Sequence, residues 1–214
     1  MKRVKITDIH YLTDSTFVLR MERNGLDFYT GQFVIIRRPR TVDQREYTIY
    51  SGEKDDYLDV LVREVTDGKV TPRLKNLSPG NEIDIDGPFG FFRFQPEMFS
   101  KKKFLFVATG TGISPFHSFV RTYPDIDYQL IHGVRYGNEA YEHYHYNKEK
   151  ITLCTTGDDK GDFKGRVTDY LKQKDIKPGT SCFLCGNSEM ILEAYDILTE
   201  KGVEVHNIYT EVYF

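Results

Sequence analysis

Along roughly the first ninety residues apolar and polar positions tend to alternate, the period of a strand with one buried face. Val4, Ile6 and Ile9, then Phe17, Leu19 and Met21, predict two strands within residues 2–23 that turn at Asp14-Ser15, and Asn24-Gly25 ends the second. Residues 33–37 form a third strand after Gly31-Gln32, residues 45–51 a fourth, and residues 58–65 a fifth in which Leu58, Val60 and Val62 share a face. Ser78-Pro79-Gly80-Asn81 is a turn before a sixth alternating strand over 82–86. Residues 70–77 fit a short helix, because Pro72 suits a first turn. Six short strands with so little helix predict a closed, six-stranded antiparallel β-barrel.

The pattern changes near residue 100. Phe104-Leu105-Phe106-Val107-Ala108 is an unbroken apolar run, as in a strand covered on both faces. Strands over 104–109, 128–132, 151–155, 181–185 and 205–209 then alternate with helices over 115–122, 167–174 and 189–201. In the last helix Met190, Ile191, Ala194, Tyr195 and Leu198 make one apolar stripe, and Gly202 stops it. That order predicts an α/β domain with a parallel sheet, whose ligand lies beyond the carboxyl ends of its strands. The expected division is a barrel domain over residues 1–99 and an α/β domain over residues 100–214.

Charge and cysteine content narrow the function. The formal net charge is −3, and basic and acidic residues are balanced in both halves, so the basic stripe of a nucleic-acid binder is missing. The chain has no apolar run long enough to span a membrane and begins MKRVKITDIH, without a signal core, which leads to the expectation of a cytoplasmic protein. Three cysteines, Cys154, Cys182 and Cys185, are too few for an ordinary [2Fe–2S] cluster within this chain. Cys182 and Cys185 have redox-motif spacing but fall in a strand-like run with no second pair for zinc, and read as small buried hydrophobes. His143 and His145, in Glu142-His143-Tyr144-His145-Tyr146, lack a clear third ligand, so no metal is expected there. Arg37, Arg38 and Arg40 with Lys101, Lys102 and Lys103 offer a basic cluster for an acidic partner, or simply a solvated face.

Five further stretches carry candidate chemistry. In Arg45-Glu46-Tyr47-Thr48, Arg45 and Tyr47 share a strand face, where a guanidinium grips paired oxygens and an aromatic ring stacks, with the Thr48 hydroxyl beside them. Asp67-Gly68-Lys69-Val70-Thr71-Pro72 joins a close-approach glycine to a helix start, a combination suited to phosphate. Gly87-Pro88-Phe89-Gly90 reads as a tight loop ending the barrel. Thr109-Gly110-Thr111-Gly112-Ile113-Ser114-Pro115 puts two glycines between a buried strand and a helix start, a place for a dinucleotide pyrophosphate, although Pro115 stands where a third glycine is usual. Leu184-Cys185-Gly186-Asn187 closes a strand before a helix, where Asn187 serves equally as a cap. Each stretch alone is also compatible with an ordinary strand, turn or cap.

Together, in this order and spacing, these stretches and the terminal Glu211-Val212-Tyr213-Phe214 resemble the ferredoxin–NADP reductase family, and within it the short bacterial ferredoxin/flavodoxin–NADP reductases. The resemblance covers nearly the whole chain. It implies a barrel that binds FAD and a second domain that binds NADP(H). By resemblance, Arg45 holds the FAD pyrophosphate, Tyr47 flanks the ribityl and isoalloxazine, and Thr48 hydrogen-bonds flavin N5. Lys69, Val70 and Thr71 cradle phosphate, while Gly110, Thr111 and Gly112 receive the NADP pyrophosphate. Cys185 and Glu211 flank the nicotinamide, Tyr213 stacks on the flavin, and Phe214 covers the adenine of a folded FAD. Arg135 and Arg166 match positions that read the 2′-phosphate, but Thr155-Thr156-Gly157-Asp158 replaces the Ser-Arg pair common in the family, and Asp158 and Asp159 would repel phosphate. The implied activity is electron transfer between NADP(H) and ferredoxin or flavodoxin. The alternatives are an NAD(P)H:flavin or oxygenase-coupled reductase, and a non-catalytic flavin-bearing electron-transfer subunit.

Overall fold

Val4, Ile6, Phe17, Leu19 and Met21, the alternating positions of the first two strands, all enter one apolar core. The computed structural model describes residues 1–94, 97 and 102–213. Lys101, Phe214 and the expected boundary between residues 99 and 100 lie outside the described residues. By their contacts the residues form two compact units, Met1–Phe94 with His117–Thr122, and Gln95–Phe116 with Tyr123–Phe214.

The first unit contains β1 (Lys2–Tyr11), β2 (Thr16–Glu22), β3 (Phe33–Arg37), β4 (Gln44–Thr48), β5 (Tyr57–Arg63), α1 (Thr71–Lys75) and β6 (Glu82–Phe89). The strands pair antiparallel in the order β4-β3-β6-β1-β2-β5. Beyond β4, Ile49 bridges to Val60 of β5, and the Tyr50 N–H donates to the Asp59 carbonyl at 2.7 Å. The two edges of the sheet thereby meet, closing it into the expected barrel. Val34, Ile36, Leu58, Val60, Val62 and Ile83 are wholly buried inside it. Each such side chain contributes about 1.5–3 kcal/mol relative to exposure.

Two local features differ from the expectation. The tight loop read at Gly87-Pro88-Phe89-Gly90 is instead the end of β6, which continues to Phe89. A register shift lets Phe89 pair with Phe33, and the two rings lie 5.9 Å apart. Aromatic packing across a bulge thus extends a strand through a glycine and a proline. The second difference is on β5, where Asp59 and Leu61 are buried as well as the alternate positions. Asp59 lies opposite Arg20 of β2, whose guanidinium donates two bonds of 2.9 Å to its carboxylate and stacks over Tyr57 at 3.6 Å. A buried carboxylate is tolerated here because a bidentate partner faces it.

The second unit contains β7 (Phe104–Thr109), α2 (Ser114–Thr122, of which His117–Thr122 groups with the first unit), β8 (Tyr128–Val134), β9 (Ile151–Thr155), β10 (Phe163–Lys164), α3 (Val167–Gln173), β11 (Ser181–Gly186), α4 (Ser188–Glu200) and β12 (Ile208–Val212). All six strands are parallel, in the order β10-β9-β8-β7-β11-β12. The chain builds outward from β7 on one side and then resumes at β11 on the other. The crevice beyond the carboxyl ends of β7 and β11 is therefore the topological switch point, where ligands bind in such sheets. The last strand begins at Ile208, not at 205, because Val205–Asn207 is a 3-10 turn and pairing with β11 runs from Cys182 opposite Ile208 to Gly186 opposite Val212. Among the described residues no helix is long and apolar enough to cross a membrane.

Candidate functional site

In the barrel, Arg45 and Tyr47 of β4 pair with Ile36 and Val34 of β3, so they share the inward face, while Thr48 pairs with Phe33 on the other. Tyr47 packs against the core, which buries its phenol and raises its pKa above the ordinary value, and its hydroxyl has no hydrogen-bond partner among the described residues. Arg45 is exposed, and one of its N–H groups donates to the Gln44 carbonyl at 2.9 Å. A buried hydroxyl without a partner costs about 1–3 kcal/mol. A ligand carrying ribityl hydroxyls and phosphates supplies the missing partner and occupies the guanidinium, so these residues fit FAD.

The predicted phosphate cradle lies close by in the chain's tertiary pairing, since Arg73 of α1 meets Asp43, two residues before Arg45, at 3.2 Å. Gly68 is required at the turn, where a Cβ would stand 2.8 Å from the Val65 carbonyl oxygen. Lys69 is exposed, Val70 is buried, and α1 begins without a side-chain cap, which leaves its first N–H groups for a ligand. The Thr71 hydroxyl already accepts from the Val65 N–H at 2.8 Å, so Thr71 would meet phosphate through its backbone.

In the second unit the glycine-rich segment turns at the carboxyl end of β7, with Gly110 at φ +54° and residues Gly110–Ile113 in a 3-10 turn that leads into α2. A Cβ on Gly112 would sit 2.4 Å from the Cys185 carbonyl oxygen, and one on Gly186 would sit 2.1 Å from Thr109 Oγ1. The Asn187 amide donates to Thr109 Oγ1 at 3.3 Å while its oxygen caps α4 by accepting from the Met190 N–H. The segments after β7 and β11 are thus held together at the switch point. Thr109 was not singled out as a site residue by the sequence, and Asn187 only as a cap. Their contact links residues 78 positions apart, and a motif reading has no access to it.

Cys185, Glu211 and Tyr213 come together on β11 and the strand beside it. Cys185 is in register with Glu211, its Sγ lies 4.0 Å from the carboxylate, and the Tyr213 N–H donates to the Gly186 carbonyl at 2.8 Å. Burial, reinforced by the Glu211 charge, pushes the Cys185 thiol well above its ordinary value. It remains a thiol at neutral pH and packs rather than attacks. Cys154 and Cys182 are likewise buried, and burial pushes each up to about 12. Cys182 and Cys185, three apart on an extended strand, face opposite sides of the sheet.

Val134, Thr155 and Lys164 lie side by side at the ends of β8, β9 and β10. Arg135 and Arg166 therefore emerge at the same edge, both exposed, and Arg166 follows the short β10 that the sequence did not reveal. The two aspartates expected to repel phosphate are otherwise engaged. Backbone N–H groups, first that of Gly137 at 3.0 Å, hold the Asp158 carboxyl below the usual range, and Asp159 pairs with Lys164. His143, the first of the two candidate histidines, bonds through Nε2 to Nδ1 of His132 at 2.8 Å, and Nε2 of His132 reaches the Gly110 carbonyl at 2.9 Å.

The sequence reading overlooked His132, a lone histidine inside an apolar strand. Burial lowers its pKa to about 3 and that of His143 to about 4, against an ordinary value of 6.5. Because the unfolded chain takes up protons that the folded one refuses, stability falls as the pH drops below about 6.5. Denaturation midpoints measured from pH 7 to pH 4 are expected to decline, and to decline less steeply in His143→Phe. Parallel curves would contradict the assignment.

Two family matches divide the chain as the fold does: residues 4–94 match the oxidoreductase FAD-binding domain, and residues 106–195 the oxidoreductase NAD-binding domain. These define the class, a two-domain flavin-dependent oxidoreductase. A ferredoxin–NADP reductase of Pseudomonas aeruginosa is 28% identical, over 94% of this chain and 90% of its own length. The toluate 1,2-dioxygenase electron transfer component of Pseudomonas putida is 26% identical over 96% of this chain, which spans 66% of that longer protein. The crystal structure of a ferredoxin NADP+ reductase from Neisseria gonorrhoeae has the same fold, with a TM-score of 0.85 at 23% identity over 100% of this chain and 98% of its own. The chain belongs to the ferredoxin–NADP reductase family.

Proposed function

We propose that the protein is a cytoplasmic reductase that moves electrons between NADP(H) and ferredoxin or flavodoxin, with FAD held by residues 1–99 and the nucleotide by residues 100–214. When bound, FAD accepts a hydride and releases electrons singly. The single observation that carries the reading is the buried Tyr47 hydroxyl, unpartnered among the described residues and on the same strand face as Arg45. In this reading Arg45 binds the pyrophosphate, Tyr47 flanks the ribityl chain, Thr48 meets flavin N5, and Lys69, Val70 and Thr71 supply backbone donors and charge. Phe214 covers the adenine.

On the nucleotide side, Gly110, Thr111 and Gly112 receive the NADP(H) pyrophosphate, and Arg135 and Arg166 receive the 2′-phosphate. Cys185 sets the plane of the nicotinamide as a neutral packing group. Glu211 polarises the ring through its carboxylate, and Tyr213 excludes water until the ring displaces it.

Chain extent favours this reading over the oxygenase-coupled one, since the chain spans 90% of the Pseudomonas ferredoxin reductase but 66% of the dioxygenase component. Steady-state assays of the isolated, FAD-loaded chain with NADPH and the organism's own ferredoxins and flavodoxins test it. Reduction of at least one carrier is expected. Turnover with free flavins alone would move the assignment to an NAD(P)H:flavin reductase.

A further inference from the structure

His132 is wholly buried in β8, in register with Ala108 of β7 and Leu153 of β9. A carbonyl oxygen only accepts, so the His132 Nε2 facing Gly110 O at 2.9 Å carries the proton. Its Nδ1 then has no hydrogen and accepts from Nε2–H of His143 at 2.8 Å. His143 thus selects the His132 tautomer that can grip the loop. Both rings are held neutral by burial, so the arrangement persists through the physiological range.

The gripped carbonyl belongs to the peptide joining Gly110 to Thr111. That peptide is trans, because the one cis bond among the described residues is Gly87-Pro88. In a trans peptide the C=O and N–H point in opposite directions. Pulling the Gly110 carbonyl down toward His132 therefore turns the Thr111 N–H up and away from the sheet. As the second residue of its 3-10 turn, Thr111 has no intrahelical acceptor for that N–H. Gly110 makes the twist accessible, with its φ of +54°.

We propose that His132, with its tautomer fixed by His143, is a positioning residue for the nucleotide: it locks the Gly110–Thr111 peptide so that the Thr111 N–H faces the dinucleotide phosphate. The inference rests on the reading that this loop receives the pyrophosphate. Binding then meets an amide already oriented, and no part of the interaction is lost to turning the peptide.

The test is calorimetric titration of the full, FAD-loaded chain with NADP+, in wild type and in His132→Phe, His132→Gln and His132→Asn. Phenylalanine keeps the ring and its packing but has no donor, and the Kd is expected to rise about tenfold, the worth of one lost oriented bond. Glutamine places an N–H near the Nε2 position and should keep the Kd within about threefold of wild type, whereas asparagine is too short to reach Gly110 and should behave like phenylalanine. Should His132→Phe fail to fold, the glutamine–asparagine contrast still decides. A long-range 1H–15N spectrum of the wild type adds a readout independent of any variant, and should show His132 protonated on Nε2 at pH 7. A His132→Phe chain that binds NADP+ as tightly as wild type, or a His132 protonated on Nδ1, overturns the proposal. Wild type that binds neither NADP+ nor NAD+ would overturn the nucleotide reading itself, and with it this inference.

Discussion

Alanine in place of Arg45 is expected to weaken FAD binding by about 1.5–3 kcal/mol, or about tenfold to a hundredfold. Arg45 is exposed and its side chain bonds, among the described residues, to the neighbouring Gln44 carbonyl, so the folded chain loses little else when it is removed. The loss should therefore appear in FAD affinity and leave the stability of the apoprotein nearly unchanged. Tyr47→Phe is the informative companion. It deletes a buried hydroxyl that has no partner in the protein, so the apoprotein should gain about 1 kcal/mol while the FAD complex weakens. Opposite signs in the two states are not produced by a general packing defect. Fluorescence titration with FAD, with melting curves in its presence and absence, separates them. Tight FAD binding by Arg45→Ala would remove Arg45 from the site.

The second large effect is the preference for NADPH over NADH, expected at about tenfold to a hundredfold in kcat/KM, or about 1.4–2.7 kcal/mol. A 2′-phosphate carries nearly two negative charges, and a guanidinium receives it with two parallel bonds. Arg135 and Arg166 leave adjacent parallel strands at their carboxyl ends, and both are exposed. Asp158 and Asp159, which the sequence set against phosphate, hold the Gly137 amide and Lys164 respectively. The repulsion is thereby reduced, and the preference stands on the arginines. Arg135→Ala and Arg166→Ala should each harm NADPH and leave NADH nearly untouched. Equal use of both cofactors by wild type, or equal loss with both in the variants, contradicts the assignment.

The barrel and the α/β half were legible because burial imposes a period on the chain. The strand at residues 33–37 and that at 151–155 match β3 and β9 residue for residue, and the stripe on α4 contains four of the expected five positions, Ile197 being buried where Tyr195 was expected. Where pairing outweighs local pattern, the reading failed. β10 has two residues, too few for any period, and exists because it pairs with Cys154 and Thr155. β12 starts three residues late because Cys185 needs Glu211 as its neighbour in register. β6 crosses a Gly-Pro pair because Phe89 finds Phe33.

The site divides the same way. Glycines advertise themselves, since Gly112 and Gly186 stand where any Cβ would strike a carbonyl or a hydroxyl. His132 does not, because a histidine inside Leu-Ile-His-Gly-Val reads as a core residue, and core is also where it lies. Only the positions of the Gly110 carbonyl and of His143 reveal what its two nitrogens do.

The most direct test of the whole account is to purify the chain, identify any flavin released on boiling, and mix the holoprotein with NADPH under anaerobic conditions. The account predicts a yellow protein that releases FAD, whose flavin band is bleached by NADPH much faster than by NADH and recovers on addition of an oxidised ferredoxin or flavodoxin. A colourless protein that takes up no added FAD, or a bound flavin that neither nucleotide reduces, would contradict it.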